Sequence, residues 1–220
     1  MTFHAHAAKQ AKVHLKPFDY EPKPLGQHDV EIAITHCGIC HSDVHLVDGE
    51  WGDHFPLVPG HEIIGIGGLG HLGLQFAKAL GCEVTAFSRT ADKQAAARRF
   101  GADHFVTGEP ERGSLDLILN TAHVASDMAA YLGALRPKGV FCQLGAAPEP
   151  LSVPATLLIG GSRSVTGSEI GSPAAIRAML DLAARHGIGA RTEVMPMAKA
   201  DAALDRTRRN QARYRMVLAN

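Results

Sequence analysis

Apolar positions change their period near residue 63. Before it the stretches are short, and Val30-Glu31-Ile32-Ala33-Ile34 alternates apolar and polar side chains as a half-buried strand does. Pro, Gly and His punctuate the rest, so residues 1–62 read as an irregular β module. From about Ile63 strands alternate with helices. Leu72 to Leu80 carries apolar residues at helical spacing, Glu83 to Phe87 reads as a strand, and Ala91 to Phe100 as a helix ended by Gly101. Leu115 to Leu119 is an apolar strand, Ser126 to Leu135 a helix and Val140 to Leu144 a strand again. Ser172 opens a further helix, with Pro173 where a missing N–H costs nothing and Gly187 at its close. Alternation with short links predicts an α/β fold, a doubly wound parallel sheet over 63–190 covered on both faces.

Composition narrows the classes. In 220 residues Lys and Arg together number 22, as do Asp and Glu, so no basic field recruits nucleic acid and no acidic tail is present. The start, MTFHAHAAKQ, lacks the apolar core of an export signal. No apolar run reaches the roughly 18 residues of a membrane span. Cys37, Cys40, Cys82 and Cys142 are then expected as thiols or metal-bound thiolates in a cytoplasmic protein. Cys82 and Cys142 read as small buried hydrophobes. The 13 histidines point to metal or proton chemistry.

Gly65-Ile66-Gly67-Gly68-Leu69-Gly70 satisfies G-x-G-x-x-G, between the apolar pair Ile63-Ile64 and the helix that follows. The first glycine permits a tight turn and the second lets a pyrophosphate approach the backbone. The third packs helix on strand, so that the helix start faces phosphate. A glycine-rich turn with no ligand is the alternative. At the end of the next strand, where an NAD site places a carboxylate, the chain has Ser88-Arg89-Thr90 and then Lys93. Hydroxyls and cations there suit a 2′-phosphate, so NADP is expected over NAD.

A second constellation is Cys37-Gly38-Ile39-Cys40-His41-Ser42-Asp43-Val44-His45, followed by Pro59-Gly60-His61-Glu62. A Cys and a His are natural zinc ligands and a neighbouring Glu is a hard one. C-x-x-C by itself is redox-active, metal-binding or incidental. Trp51 is a pocket wall or an ordinary core or rim aromatic.

Taken in order, Cys40 to His45, Trp51-Gly52, Pro59 to Glu62, the glycine loop, Leu117 to Thr121, Gly167 to Ser172 and Arg213 to Leu218 resemble medium-chain zinc alcohol dehydrogenases. The nearest branch is the cinnamyl-alcohol-dehydrogenase-like, NADP-dependent one. The resemblance implies a truncated GroES-like catalytic module at 1–62, a Rossmann domain at 63–190 and a C-terminal segment, 191–220, returning to the module. It implies Cys40 and His61 as ligands of a catalytic Zn2+, with Glu62 as an alternate ligand or as a carboxylate supporting the ligands from behind. It implies Ser42 and His45 as a proton relay, His41 near the pyrophosphate, and Thr121, Gly145, Ser168 and Ile170 at the cofactor's ribose and nicotinamide. The substrate would be a primary alcohol or aldehyde, and the family commonly forms homodimers through its nucleotide domains.

The chain departs from that family between Glu62 and Gly65, where only Ile63 and Ile64 stand. The family has there a long segment with a four-cysteine structural zinc lobe, the third catalytic ligand and much of the β-barrel. Cys37 is a non-ligand position in the family and the available substitute here. Three expectations follow: a zinc-dependent oxidoreductase, an NADP-binding remnant that transfers no hydride, or a structural zinc protein that uses the N-terminal Cys and His residues.

Overall fold

A computed structural model describes residues 2–24, 26–27, 31, 33–60, 69–122, 127–147, 149–209 and 211–220. In chain order the elements are β1 (Phe3–Ala7), β2 (Lys16–Tyr20), β3 (His36–Ile39), α1 (His41–Val47), α2 (Leu69–Ala79), β4 (Thr85–Phe87), α3 (Gln94–Arg99), β5 (His104–Val106), β6 (Leu115–Asn120), α4 (Met128–Ala134), β7 (Leu135–Gln143), α5 (Ala155–Ile159), β8 (Ser164–Gly167), α6 (Pro173–His186), β9 (Thr192–Pro196), α7 (Ala200–Arg208) and β10 (Arg215–Ala219). No described helix is long and apolar enough to cross a membrane. The fold is α/β, in two compact units: Met1–Gly68 with Ala190–Asn220, and Leu69–Gly189.

In the first unit β10 is the middle strand, antiparallel to β3 with Leu218 opposite Cys37 and parallel to β9 with Val217 opposite Val194. A middle strand covered on both faces carries no polar-out alternation, and Arg215 to Leu218 are all buried. Ile39, Met216 and Leu218 of this sheet pack with Val44 and Val47 of α1 and Ala203 and Leu204 of α7. Arg208, ending α7, forks onto the carboxylate of Asp48, the residue that follows α1, at 3.1 and 2.8 Å. That hydrogen-bonded pairing raises the guanidinium pKa further above its ordinary value. β1 and β2 form a separate antiparallel pair.

In the second unit β4 lies parallel to β5, and β6, β7 and β8 form a parallel sheet in that order. Ile118, Met128, Leu132, Leu135 and Phe141 make its core, and Leu132, Leu135 and Phe141 are wholly enclosed. Parallel pairing brings the carboxyl ends Asn120, Gln143 and Gly167 side by side, at the edge where open α/β sheets bind ligands. Ser172 caps α6 with Pro173 in its first turn, and Gly187, at φ 64°, closes it.

Several expectations are corrected. The strand expected at Val30–Ile34 falls partly on undescribed residues, and Glu31, Ala33 and Ile34 form no regular element. The strand instead runs from His36 to Ile39, where β10 supplies its partner. Leu69 and Gly70, read as loop, are the first turn of α2. The helix expected from Ala91 begins as a 3-10 turn over Ala91–Lys93. β7 starts at Leu135 rather than Val140, because Leu115 of β6 pairs with Leu135. Cys82 is exposed rather than buried, since the link from α2 to β4 runs over the surface as connections do. Cys142 is half-buried, one residue beyond the inward-facing Phe141 of an alternating strand. The lead-in pair Ile63-Ile64 lies outside the described residues.

Candidate active site

Cys40 leaves β3 in extended geometry and caps α1: its sulfur accepts from the Ser42 amide at 3.1 Å. Three residues on, Asp43 completes a capping box by accepting from the Cys40 amide at 2.9 Å. The other carboxylate oxygen accepts from the Gly60 amide, also at 2.9 Å. Asp43 is 1% exposed, so one buried carboxylate ties the strand end carrying Cys40 to the segment that leads into His61. Gly60 has φ +120°, and a Cβ there would stand 3.0 Å from the Cys37 sulfur, so the close approach requires glycine. His61 and Glu62 lie outside the described residues. Among those described, no group of three donors could hold a metal. Cys40 itself fits zinc: a sulfur that accepts an N–H carries negative charge well when metal-bound.

Ser42 and His45 stand one turn apart on α1. The Ser42 hydroxyl makes no hydrogen bond among the described residues. His45 is buried, with Nδ1 2.5 Å from the Glu50 carboxylate and its ring stacked on Trp51 at 5.0 Å between centroids. A carboxylate acceptor places the proton on Nδ1, which leaves Nε2 of the neutral ring as a lone-pair acceptor. Nε2 is buried without a hydrogen-bond partner among the described residues, a state that calls for a functional reason. His41, half-buried, has its ring 6.3 Å from that of His45.

Asp43 and Glu50 are site residues the sequence reading did not assign. Asp43 was signalled by the capping-box spacing after Cys40. Glu50, past the end of α1, carried no signal before the turn brought it back to His45.

In the second unit α2 starts without an acidic residue in its first turn, which suits an anion. A Cβ on Gly70 would lie 3.4 Å from the Thr121 hydroxyl, and one on Gly145 only 2.2 Å from the Ala122 carbonyl. Gly70 and Gly145 therefore both close on the turn at Thr121 and Ala122, Gly70 against the Thr121 side chain and Gly145 against backbone, a close approach that fits a dinucleotide. Ser168 joins them through its amide, which donates to the Gln143 carbonyl at 3.3 Å. Ile170 is 85% exposed. At the end of β4 the Thr90 amide donates to the Ser88 hydroxyl at 3.4 Å, and the Thr90 hydroxyl donates to Asp92. Arg89 and Lys93 are exposed and have no carboxylate partner among the described residues. Gly65, Gly67 and Gly68 lie outside those residues.

A family model described as "Zinc-binding dehydrogenase" matches residues 68–185, and one described as "Alcohol dehydrogenase GroES-like domain" matches 26–101. The chain is 29% identical to the aldehyde reductase AdhA of Synechocystis sp. over 330 aligned positions, spanning 98% of each protein. With 330 positions against 220 residues, at least 110 positions of that relative face no residue here. Among solved structures, a cinnamyl alcohol dehydrogenase from Sorghum bicolor is similar with a TM-score of 0.90 and 25% identity, covering 100% of this chain and 98% of that one. A cinnamyl alcohol dehydrogenase from Helicobacter pylori, complexed with NADP(H), has the same fold with a TM-score of 0.90, 20% identity and the same coverage.

Proposed function

The chain belongs to the zinc-binding dehydrogenase family, and we propose that within it this protein interconverts primary alcohols and aldehydes with NADP(H) and a zinc ion. The observation that carries the reading is the buried Asp43 carboxylate, which fixes Cys40 and the residue before His61 in one place. The relatives support it: an aldehyde reductase and cinnamyl alcohol dehydrogenases, one of them complexed with NADP(H). They favour turnover over a cofactor-binding remnant.

Residues 1–62 and 191–220 form the catalytic module and 63–190 the nucleotide domain. Cys40, His61 and Glu62 would hold the metal, three donors being the usual protein complement of a catalytic zinc. When bound, zinc supplies Lewis acidity to the substrate oxygen and NADPH the hydride. With substrate and cofactor bound, the Ser42 hydroxyl would exchange the proton of that oxygen, and His45 would take it up or return it. Glu50 holds the His45 ring so that Nε2 stays open to that proton.

The loop Gly65–Gly70 and His41 take the pyrophosphate, and Ser88, Arg89, Thr90 and Lys93 the 2′-phosphate. Thr121, Gly145, Ser168 and Ile170 meet the ribose and nicotinamide.

The test is NADPH oxidation by the purified chain with aromatic and aliphatic aldehydes, with and without added zinc, beside elemental analysis of the protein. Zinc-dependent turnover is expected. NADPH binding without zinc or turnover would establish the remnant instead.

A further inference from the structure

β6 and β7 end in register, Asn120 opposite Gln143, and their side chains carry the pairing past the strands. The Asn120 Nδ2 donates to the Gln143 Oε1 at 2.8 Å. The Gln143 Nε2 donates onward to the Gly145 carbonyl at 2.5 Å. On the other side the Asn120 Oδ1 accepts from the Ala122 amide at 3.3 Å. The backbone sets the direction of this chain at both ends, because an amide N–H only donates and a carbonyl only accepts. Asn120 must turn its oxygen to Ala122 and its nitrogen to Gln143, and Gln143 must turn its nitrogen to Gly145. No other orientation of the two carboxamides makes all three bonds.

The relay joins the turn after β6, which carries Thr121 and Ala122, to the turn after β7, which carries Gly145. The backbone ties them once more, since the amides of Leu144 and Gly145 donate to the Asn120 carbonyl at 2.8 and 3.0 Å. Gly145 meets Ala122 too closely to admit a Cβ, so a small shift of either turn reshapes the surface they share. We propose that Asn120 and Gln143 are positioning residues that hold these two turns ready for the nicotinamide half of NADP(H), an inference that rests on Thr121 and Gly145 meeting that half of the cofactor.

Acids of the same size test the direction of the relay. In Asn120→Asp both oxygens accept, so Gln143 must reverse to donate and then turns its own oxygen on the Gly145 carbonyl. Gln143→Glu sets a carboxylate oxygen against that carbonyl directly. Gln143→Met removes the bonds without adding charge. Each full-length variant is titrated with NADPH and with 2′,5′-ADP, which carries the 2′-phosphate but no nicotinamide, and its melting temperature is recorded.

NADPH affinity is expected to fall about tenfold in both acid variants and in Gln143→Met, as for a lost polar contact, while 2′,5′-ADP binds within about twofold of the parent. Unchanged NADPH binding in the three variants overturns the proposal. Equal loss of both ligands also overturns it, because it marks general damage to the unit. If the unmutated chain takes 2′,5′-ADP but not NADPH, the reading of Thr121 and Gly145 fails, and the proposal with it.

Discussion

Asp43 binds the Gly60 amide at 2.9 Å with one carboxylate oxygen while the other holds the amide of Cys40. Both bonds need an acceptor, and a carboxylate supplies two. In Asp43→Asn one of the two N–H groups meets an NH2 group and loses its partner in a buried place. The cost is expected at about 1.5–3 kcal/mol, the range for hydrogen bonds to charged groups. Denaturant unfolding measures it, and bound zinc per chain is expected to fall in parallel. Full zinc content with unchanged stability would show that the carboxylate does not organise the site.

His45 and Glu50 act as a pair, with the carboxylate orienting the ring. His45→Ala is expected to lower kcat for aldehyde reduction about 100-fold, the scale of a lost proton-transfer group. Glu50→Ala, which frees the ring without removing it, is expected to cost about tenfold. NADPH affinity, followed by fluorescence titration, should stay near the parent value in both. A larger effect on cofactor binding than on kcat would move His45 out of the relay.

Arg89 and Lys93 stand past β4 without carboxylate partners among the described residues. Replacing either by Ala is expected to weaken NADPH binding about tenfold, the loss of a charge-assisted contact to phosphate, and to leave NADH binding unaltered. The NADPH-to-NADH affinity ratio reads this directly. Equal losses for the two cofactors would argue against a 2′-phosphate site.

Asp103 accepts from the Lys78 ammonium at 2.6 Å and from the Val84 amide at 2.8 Å, and these hold its carboxyl below the ordinary value of 3.8. A carboxyl that binds protons less well folded than unfolded adds stability above its unfolded value, and the stability is lost as pH falls through the folded one. The melting-temperature gap between the parent and Asp103→Asn should therefore stay constant from about pH 8 to 5 and close below about pH 4. The gap should also narrow with salt, since the pair is exposed. A gap that persists at the acid end would assign the effect to packing.

How much was legible in advance depends on how far apart the interacting residues lie. The helix Pro173–His186 was readable end to end because its signals are local: Ser172 caps it, Pro173 fits its first turn and Gly187 takes the left-handed conformation at its close. In Cys40–His45 and in Ser88–Lys93 the residue types alone were legible, since each is a run of neighbours in the chain. The strands were less so. Val30–Ile34 has the alternation of a strand, yet the strand forms at His36–Ile39, where β10 arrives from the far end of the chain to pair with it.

The same reason hid part of the site. The bond from Asp43 to Gly60 spans 17 residues, and the Asn120–Gln143 relay spans 23 and depends on a register that two strands settle together. The order of residues alone carried the family, the two textures of the chain and the residue types offered to metal and cofactor. Which polar groups meet is set by folding, because a buried carboxylate or carboxamide takes its role from the donors and acceptors that distant parts of the chain bring to it.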